Sequence, residues 1–249
     1  LKANTSLVGE SYTTIMLAAQ APGFDDADHP KPMLVLPQDP SANNRLVDLA
    51  LTSGAGNGGA VLLEWGAGRA QAFDVHFRSG SVAGSANCSS GAVHTQLHVV
   101  GPGGGGVTNS WGWGADHDLM TYNGTRPKAN GHMSCEQPSC CVPNLHGLRD
   151  SGSSPMAFLG TAFEHHVQGG YVVVNATNRL FLMTQTEQPY WLPAATEASP
   201  LTVTNSARVS VYGGFFGDGG FFSKAPCNNP VGVLAAVSPD RIDSPPFCF

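Results

Sequence analysis

The 249-residue sequence has little charge and no long apolar run. Charged side chains make up 12% of the chain, and 12 Lys and Arg against 18 Asp and Glu give a formal net charge of −6. Without a basic excess, no stripe of cations can neutralise a phosphate backbone, so a nucleic-acid partner is not expected. The longest apolar runs, 60–63, 171–174 and 231–237, fall far short of the roughly 18 residues that cross a bilayer, so no membrane span is predicted.

Helix signals are also scarce. No segment keeps a 3.6-residue apolar period for four turns, whereas glycine (31) and proline (18) are abundant. Short strand-like runs recur between turn formers, at 61–65, 73–78, 93–100, 155–163, 171–175, 179–186, 201–205 and 208–212. The pattern predicts an all-β domain. The glycine run 101–106 satisfies G-x-G-x-x-G, but no helix follows it, so we interpret it as a flexible surface loop and not as a nucleotide site.

The spacing of the later strands distinguishes two all-β architectures. The interval from Glu164 to Glu187 equals the interval from Gln185 to Arg208. A fixed period of this size is typical of a solenoid, in which each coil buries its inward face by stacking on its neighbours. The spacing favours a parallel β-helix, and a β-sandwich with two coincidentally equal spacings is the alternative.

Several features indicate an oxidising, extracellular setting. Four sequons, at Asn4, Asn87, Asn123 and Asn175, are candidate glycosylation sites. Six cysteines are disulfide candidates with 15 possible pairings: Cys88, Cys135, Cys140, Cys141, Cys227 and Cys248. The chain begins at Leu1 and shows no leader, so we expect a processed product or part of a longer protein. The predicted location is secreted, at a cell wall or cell surface.

The densest group of possible metal ligands is His132, Cys135, Cys140, Cys141 and His146. Their spacing allows a tetrahedral zinc site but lacks the paired C-x-x-C elements that would identify one. Because thiols in a secreted chain tend to pair with each other, we interpret the cysteines as disulfides. No metal and no cofactor are predicted.

Two groups of residues suggest sugar chemistry. Asp116 and Asp118 follow Trp111 and Trp113, and aromatic faces beside carboxylates suit sugars, although tryptophans in the core and aspartates in a turn would look the same.

Glu164 and Glu187, the second group, would lie on one face of adjacent coils if the period is one coil. His165, Gln185, Tyr190 and Trp191 would lie near them. Two neighbouring carboxylates in a partly desolvated cleft do not both ionise easily, so one can act as an acid while the other stays anionic, as glycoside hydrolysis requires. Solvent-exposed glutamates one coil apart are the alternative interpretation.

Two motifs resemble a known family. Thr161-Ala162-Phe163-Glu164-His165-His166 and Gln185-Thr186-Glu187-Gln188-Pro189-Tyr190 resemble the paired T-A-S-E-H and Q-T-E-T-P-Y motifs of family 55 glycoside hydrolases, the β-1,3-glucanases. The resemblance runs in the same order from about residue 2 to about residue 222. Further matching segments are Gly9-Glu10-Ser11, Glu64-Trp65, Asp74-Val75-His76-Phe77-Arg78, 111–119 and Val211-Tyr212-Gly213-Gly214.

The resemblance implies a fold and a mechanism. The fold is a single-stranded right-handed parallel β-helix, a pectin-lyase-like solenoid, corresponding to the second of the family's two β-helix domains. One domain would span 1–249, with a Cys-rich insertion at about 121–154 and a C-terminal tail at about 224–249. Glu187 would be the general acid and Glu164 would orient the attacking water, with inversion. Implied substrate-binding residues are His165, Gln185, Tyr190, Trp191, Trp113, Asp116 and Asp118.

The expected partners are a β-1,3-glucan or related polysaccharide and a preceding β-helix domain or other chains of a larger extracellular assembly. Since a preceding domain would supply part of the site, this chain alone would be weak or inactive. Phe163 and Gln188 depart from the family motifs, and 121–154 diverges from the family. Two alternatives therefore stay open: a structural or adhesive extracellular glycoprotein, and a glucan-binding module without turnover that stacks sugars on Trp111, Trp113, Tyr190 and Trp191.

Overall fold

The computed structural model describes residues 1–79, 93–114, 144–166, 168–187, 201–217 and 233–236. These residues form strands and no helix, so none of them supplies a helix able to span a membrane. The strands are β1 (Ser6–Met16), β2 (Lys31–Leu36), β3 (Arg45–Thr52), β4 (Ala60–Trp65), β5 (Ala70–Ser79), β6 (Thr95–Val99), β7 (Gly105–Thr108), β8 (Trp111–Gly114), β9 (His146–Asp150), β10 (Met156–Leu159), β11 (Ala162–Phe163), β12 (Gly169–Val174), β13 (Thr177–Leu182), β14 (Gln185–Glu187), β15 (Leu201–Thr204), β16 (Ala207–Tyr212), β17 (Phe215–Gly217) and β18 (Val233–Ala236).

All strand pairs within the described ranges are parallel, and they form two sheets. The first sheet runs β16-β13-β10-β7-β5-β8-β11-β14-β17, and β3 and then β1 extend it from β5. The second sheet runs β18-β15-β12-β9-β6-β4-β2. The prediction of an all-β chain is confirmed. Parallel pairing also argues against the antiparallel sheets of an immunoglobulin-like sandwich.

The chain returns to the same sheets at intervals that are not constant. From β12 onward each strand pairs with the third strand after it, so that β12, β13 and β14 pair with β15, β16 and β17. Ala162 lies opposite Gln185, as an interval equal to that between the two glutamates requires. Gln185, however, lies opposite Phe215 and not opposite Arg208, so the next pass of the chain is longer. The equal interval from Gln185 to Arg208 therefore does not join paired residues and is a coincidence.

The core lies between the two sheets and is rich in aromatic rings. Phe158 and Phe181 stack with ring centroids 4.9 Å apart, and Tyr171 of the second sheet meets Phe163 and Phe181 of the first edge-on at 5.4 and 5.7 Å. The Tyr171 hydroxyl is fully buried and donates to the carbonyl oxygen of Thr161 at 2.8 Å. Buried tyrosines need such a partner, because an unpaired hydroxyl loses its bonds to water.

A buried ion pair also joins the two sheets. Asp150 in β9 and Arg179 in β13 both have fully buried side chains, and Arg179 Nε donates to Asp150 Oδ2 at 2.5 Å. The other guanidinium nitrogens donate to Asp150 Oδ1 and to the carbonyl oxygens of Gly152, Ser154 and Thr177. With every part of the guanidinium bonded, the cost of burying two charges is offset.

The glycine run at 101–106 is not the flexible surface loop that the sequence predicts. Gly103 and Gly104 are buried, and Trp65 Nε1 donates to the Gly104 carbonyl at 2.9 Å. Gly105 begins β7 with φ +106°, and a Cβ there would lie 1.9 Å from the Ala70 carbonyl oxygen. Close neighbours therefore explain Gly103, Gly104 and Gly105, whereas a Cβ at Gly106 would lie 3.7 Å from the nearest atom.

One residue with a left-handed backbone divides most passes of the chain through the first sheet into two segments. These residues have φ between +48° and +60°, and they are Asp48, Asp74, Asn109, Gly160, Met183 and Gly213. Backbone hydrogen bonds join neighbouring passes of the chain at this left-handed row. For example, the Gly160 N–H donates to the carbonyl oxygen of Leu182, the residue before Met183, at 2.8 Å. The segment after the left-handed residue carries the candidate site.

Candidate active site

Glu164 and Glu187 occupy equivalent positions on neighbouring strands. Ala162 in β11 lies opposite Gln185 in β14, and each glutamate is two residues beyond its member of this pair. Neighbouring strands are about 4.8 Å apart, so the two carboxylates lie on one face within electrostatic reach. This is the placement that the sequence interval predicts for the pair.

The Glu164 carboxyl is buried but lies among polar groups. Glu164 is 4% exposed, Trp111 Nε1 donates to its Oε2 at 3.2 Å, and Gln185 Nε2 donates to its Oε1 at 2.5 Å. Burial raises the pKa of Glu164, and the negative charge of Glu187 raises it further, while His165 and the two hydrogen bonds act in the opposite direction. The site therefore contains a carboxyl group that resists ionisation next to a second carboxyl group, which is the arrangement that acid–base chemistry by two carboxyls needs.

Glu187 is the more accessible of the two carboxyls, and the ring of His165 lies next to it. The Glu187 side chain is 26% exposed, and its Oε2 lies 3.5 Å from Nε2 of the fully buried His165. The backbone N–H of His165 also donates to the Glu187 carbonyl at 2.8 Å. His165 has φ +63°, a left-handed conformation that is unfavourable for a residue other than glycine.

Two residues that the resemblance implies as substrate-binding contact the glutamates instead. His165 is fully buried, so its ring contacts Glu187 and has no surface to offer a sugar in this structure. Gln185 uses its amide to hold Glu164. The structure brings both residues to the glutamates, and their substrate-binding roles stay predictions.

Two stacked tryptophans, Trp111 exposed and Trp113 half-buried, lie beside Glu164. Trp111 and Trp113 are two residues apart on β8, so their side chains lie on the same face of the strand, and their rings stack with centroids 5.8 Å apart. Trp111 is 42% exposed, which excludes the interpretation of this indole as core, and the Arg78 guanidinium lies 5.3 Å from the Trp113 ring centroid. Gly112 faces inward between them, where a Cβ would lie 2.1 Å from the Phe163 ring.

Two further aromatic residues at the site were not identified as functional from the sequence. Tyr12 in β1 and His76 in β5 lie with ring centroids 4.3 Å apart, and His76 lies 6.4 Å from Trp111. Burial lowers the pKa of His76, so its ring is neutral at neutral pH. The sequence signal for His76 was its place in the matching segment 74–78, but nothing near Tyr12 indicated a contact with it.

Other predicted residues lie outside the described ranges, and their roles stay predictions. They are Asp116, Asp118, Tyr190, Trp191, Asn87, Asn123 and all six cysteines. Asn4 and Asn175, the two remaining sequon residues, are exposed. Among the residues with described positions, no group of three or more His, Cys, Asp or Glu is arranged to hold a metal ion.

Comparisons with known proteins also indicate a relation to glucan-degrading proteins. No protein-family model matches the chain. A protein of Arthroderma benhamiae named "Probable glucan endo-1,3-beta-glucosidase" is 27% identical over 210 residues, which cover 76% of this chain and 22% of that protein. A "Glucan 1,3-beta-glucosidase" of Cochliobolus carbonum is 27% identical over 223 residues, covering 82% of this chain and 26% of that protein.

A third relative carries a different name. The "Non-secreted LysM effector LysM15" of Penicillium expansum is 31% identical over 170 residues, covering 61% of this chain and 11% of that protein. The chain therefore spans about a quarter or less of the length of the relatives described here. Because two of the three are named as glucan glucosidases, the similarity supports a glucanase-like relation.

Proposed function

We propose that this chain is the carboxylate-bearing part of a β-1,3-glucan hydrolase of the family 55 type, folded as a right-handed parallel β-helix. The observation that carries the proposal is the Glu164–Glu187 pair, held at equivalent positions on paired strands with one carboxyl resisting ionisation. The names of two relatives support a glucan as substrate. Parallel pairing of each strand with the third strand after it, from β12 onward, supports a β-helix of three strands per coil.

Glu187 is the better candidate for the general acid because its carboxyl is partly exposed and can reach a glycosidic oxygen. Both oxygens of Glu164 already accept hydrogen bonds, which suits an anionic group that takes a proton from water. The water oxygen bonds to the anomeric carbon as the glycosidic C–O bond breaks. The leaving oxygen receives the Glu187 proton, and Glu164 takes a proton from the water.

In the protein without substrate, burial and then the negative charge of Glu187 raise the pKa of Glu164. When two carboxyls interact strongly, the proton belongs to the pair and not to either residue. A pair carrying one proton is the state that the mechanism needs. Inversion also requires space for water, so we expect the carboxyl groups to lie roughly 6.5–9.5 Å apart.

Phe163, which replaces the serine of the related motif, does not enter this site. Its side chain is fully buried, packs against Phe77 at 5.8 Å between ring centroids, and fills the space beside Gly112. This departure from the motif therefore changes the core and does not place the Phe163 ring at the carboxyl groups.

The test is release of reducing sugar from laminarin by this chain joined to the preceding β-helix domain that the proposed enzyme requires, and by the Glu164→Gln and Glu187→Gln variants of the same protein. Glu64→Gln is the matched control, because Glu64 is a half-buried glutamate on β4 of the other sheet. Each site variant should lose about 10²–10⁴-fold in rate, as expected for removal of an acid or a base. Equal release by the wild type and Glu187→Gln would refute the proposal.

An aryl glucoside with a good leaving group separates the two roles. Its bond breaks without help from an acid, so Glu187→Gln should regain activity on it while Glu164→Gln should not. The opposite pattern would exchange the two roles.

Binding of glucan without turnover is the second candidate function. It is favoured by the exposed Trp111 ring, which offers an aromatic face to a sugar. The same laminarin experiment decides between the two, because a binding module retains sugar but releases none.

We also propose a secreted glycoprotein, supported by the exposure of Asn4 and Asn175 within sequons. A fall in mass on enzymatic removal of N-glycans from the protein made in a secreting host would support this, and an unchanged mass would refute it.

A further inference from the structure

A strained bulge interrupts the first strand of the chain. Val8 lies opposite Val47 and Thr13 opposite Leu49, so four residues of β1 face one residue, Asp48, of β3. Within the bulge, Ser11 and Tyr12 both have left-handed backbones, with φ of 53° and 58°. Non-glycine residues rarely adopt this conformation, and bulges with such strain recur next to functional sites.

The bulge places the Tyr12 ring on a residue two strands away. β3 lies between β1 and β5, yet the rings of Tyr12 and His76 are 4.3 Å apart. Ala50 of β3 lies opposite His76 and has only a methyl side chain, so the tyrosine ring can extend across β3. Tyr12 nevertheless remains 41% exposed, so its contact with His76 leaves much of its surface open.

Together with the tryptophans, these rings form an aromatic row that ends at Glu164. The row consists of Tyr12, His76, Trp111 and Trp113, with neighbouring ring centroids 4.3, 6.4 and 5.8 Å apart. Trp111 in this row donates a hydrogen bond to Glu164, and the Tyr12 ring lies no more than about 11 Å from the Trp111 ring, as the two centroid distances between them require. That length gives room for more than one sugar ring beside the carboxylates.

We propose that Tyr12 is a glucan-binding residue that stacks on a glucosyl ring remote from the bond to be broken. This inference rests on the proposed function, and it adds the direction in which the glucan lies, from Glu164 across β5 toward β1. The apolar faces of glucose pack against exposed aromatic rings, and hydroxyl groups at the ring edges reach polar groups around them. The strain at Ser11 and Tyr12 holds the ring in place before sugar arrives, which reduces the entropy lost on binding.

The test measures the affinity for a short and a long laminari-oligosaccharide by calorimetry. Tyr12→Asn removes the ring with a residue that tolerates the left-handed backbone, and Tyr12→Phe keeps the ring. Tyr212→Asn is the matched control, because Tyr212 is equally exposed at 41% and lies on β16 of the same sheet, away from the aromatic row.

Tyr12→Asn should weaken binding of the long oligosaccharide by about three- to tenfold and leave the short one almost unchanged. Tyr12→Phe and Tyr212→Asn should bind as the wild type does. Unchanged affinity of Tyr12→Asn for the long oligosaccharide, or an equal loss in Tyr212→Asn, would overturn the inference. Length-dependent binding, together with equal laminarin release by the wild type and Glu187→Gln in the protein with the preceding domain, would support the role of Tyr12 and refute the hydrolase, whereas a wild type that binds neither sugar would refute both.

Discussion

Two histidines, His98 and His146, make the stability of the protein depend on pH. Burial, with smaller contributions in the same direction from the positive charge of Arg149 and from His94, lowers the pKa of each to about 4. The unfolded chain takes up protons near pH 6.5, where the folded chain still resists them. Stability is therefore fully present above pH 6.5 and is lost as the pH falls toward 4.

We predict a loss of roughly 1–2 kcal/mol per histidine between pH 6.5 and 4.5, measured by urea unfolding. The double variant His98→Gln/His146→Gln should show a flatter profile over this range. His29→Gln, in which an 86% exposed histidine is replaced, should follow the wild type. A double variant that loses stability with acid as steeply as the wild type would contradict the prediction.

At the scale of single residues, sequence reasoning found the glutamates but not their surroundings. The interval between Glu164 and Glu187 was enough to pair them. In two parallel strands, residues that lie the same number of positions beyond a paired residue are also opposite each other. It could not reveal that His165 is fully buried, since a left-handed residue right after a strand turns its side chain away from the expected face. Tyr12 was also missed, because its contact depends on a bulge with no sequence signal.

Among the strands, the left-handed row holds one unexpected residue, Met183. Its φ is +51°, whereas the equivalent residues on either side, Gly160 and Gly213, are glycines. Met183 is 65% exposed, so its side chain gains little from packing. The backbone strain is therefore largely uncompensated.

Met183→Asn should stabilise the protein by about 0.5–1 kcal/mol, because asparagine tolerates the left-handed region. Gly160→Ala is the reciprocal test. Its φ is +58° and a Cβ there would meet no atom within 4 Å, so its cost of about 1 kcal/mol should come from strain alone. Thermal unfolding measures both, and a destabilised Met183→Asn would show that the side chain matters more than the backbone.

Sequence periodicity predicted the strands between residues 155 and 212 better than those before and after them. All eight strand-like runs overlap strands of the structure, but the runs at 155–163 and 179–186 are each split by a left-handed residue. None of the eight runs covers β1, β2, β3, β7, β8, β9, β17 or β18. In β1 the reason is physical, because most of its side chains are exposed and leave no apolar alternation to detect.

For the whole molecule, the buried Asp150–Arg179 pair joins the sheet that carries the site to the sheet behind it. Removal of one partner leaves the other charged and buried, and removal of Arg179 also leaves three carbonyl oxygens without its donors. A residue with so many partners affects both sheets at once.

Arg179→Met should cost about 3–5 kcal/mol in the free energy of unfolding, whereas Arg179→Met/Asp150→Leu should recover much of that loss. Both are measured by urea unfolding with one fluorescence and one far-UV circular dichroism signal. A double variant no more stable than the single variant would show that the carbonyl contacts, and not the unpaired carboxylate, carry the cost.

The coupled carboxylate pair is tested most directly by titration of the Glu164 carboxyl, followed by ¹³C NMR in the wild type and in Glu187→Gln. Burial and the Glu187 charge predict a wild-type pKa above the ordinary glutamate value. In the variant the pKa should fall but stay raised, because burial persists. An ordinary pKa in the wild type, or a raised pKa that does not change in Glu187→Gln, would contradict the account.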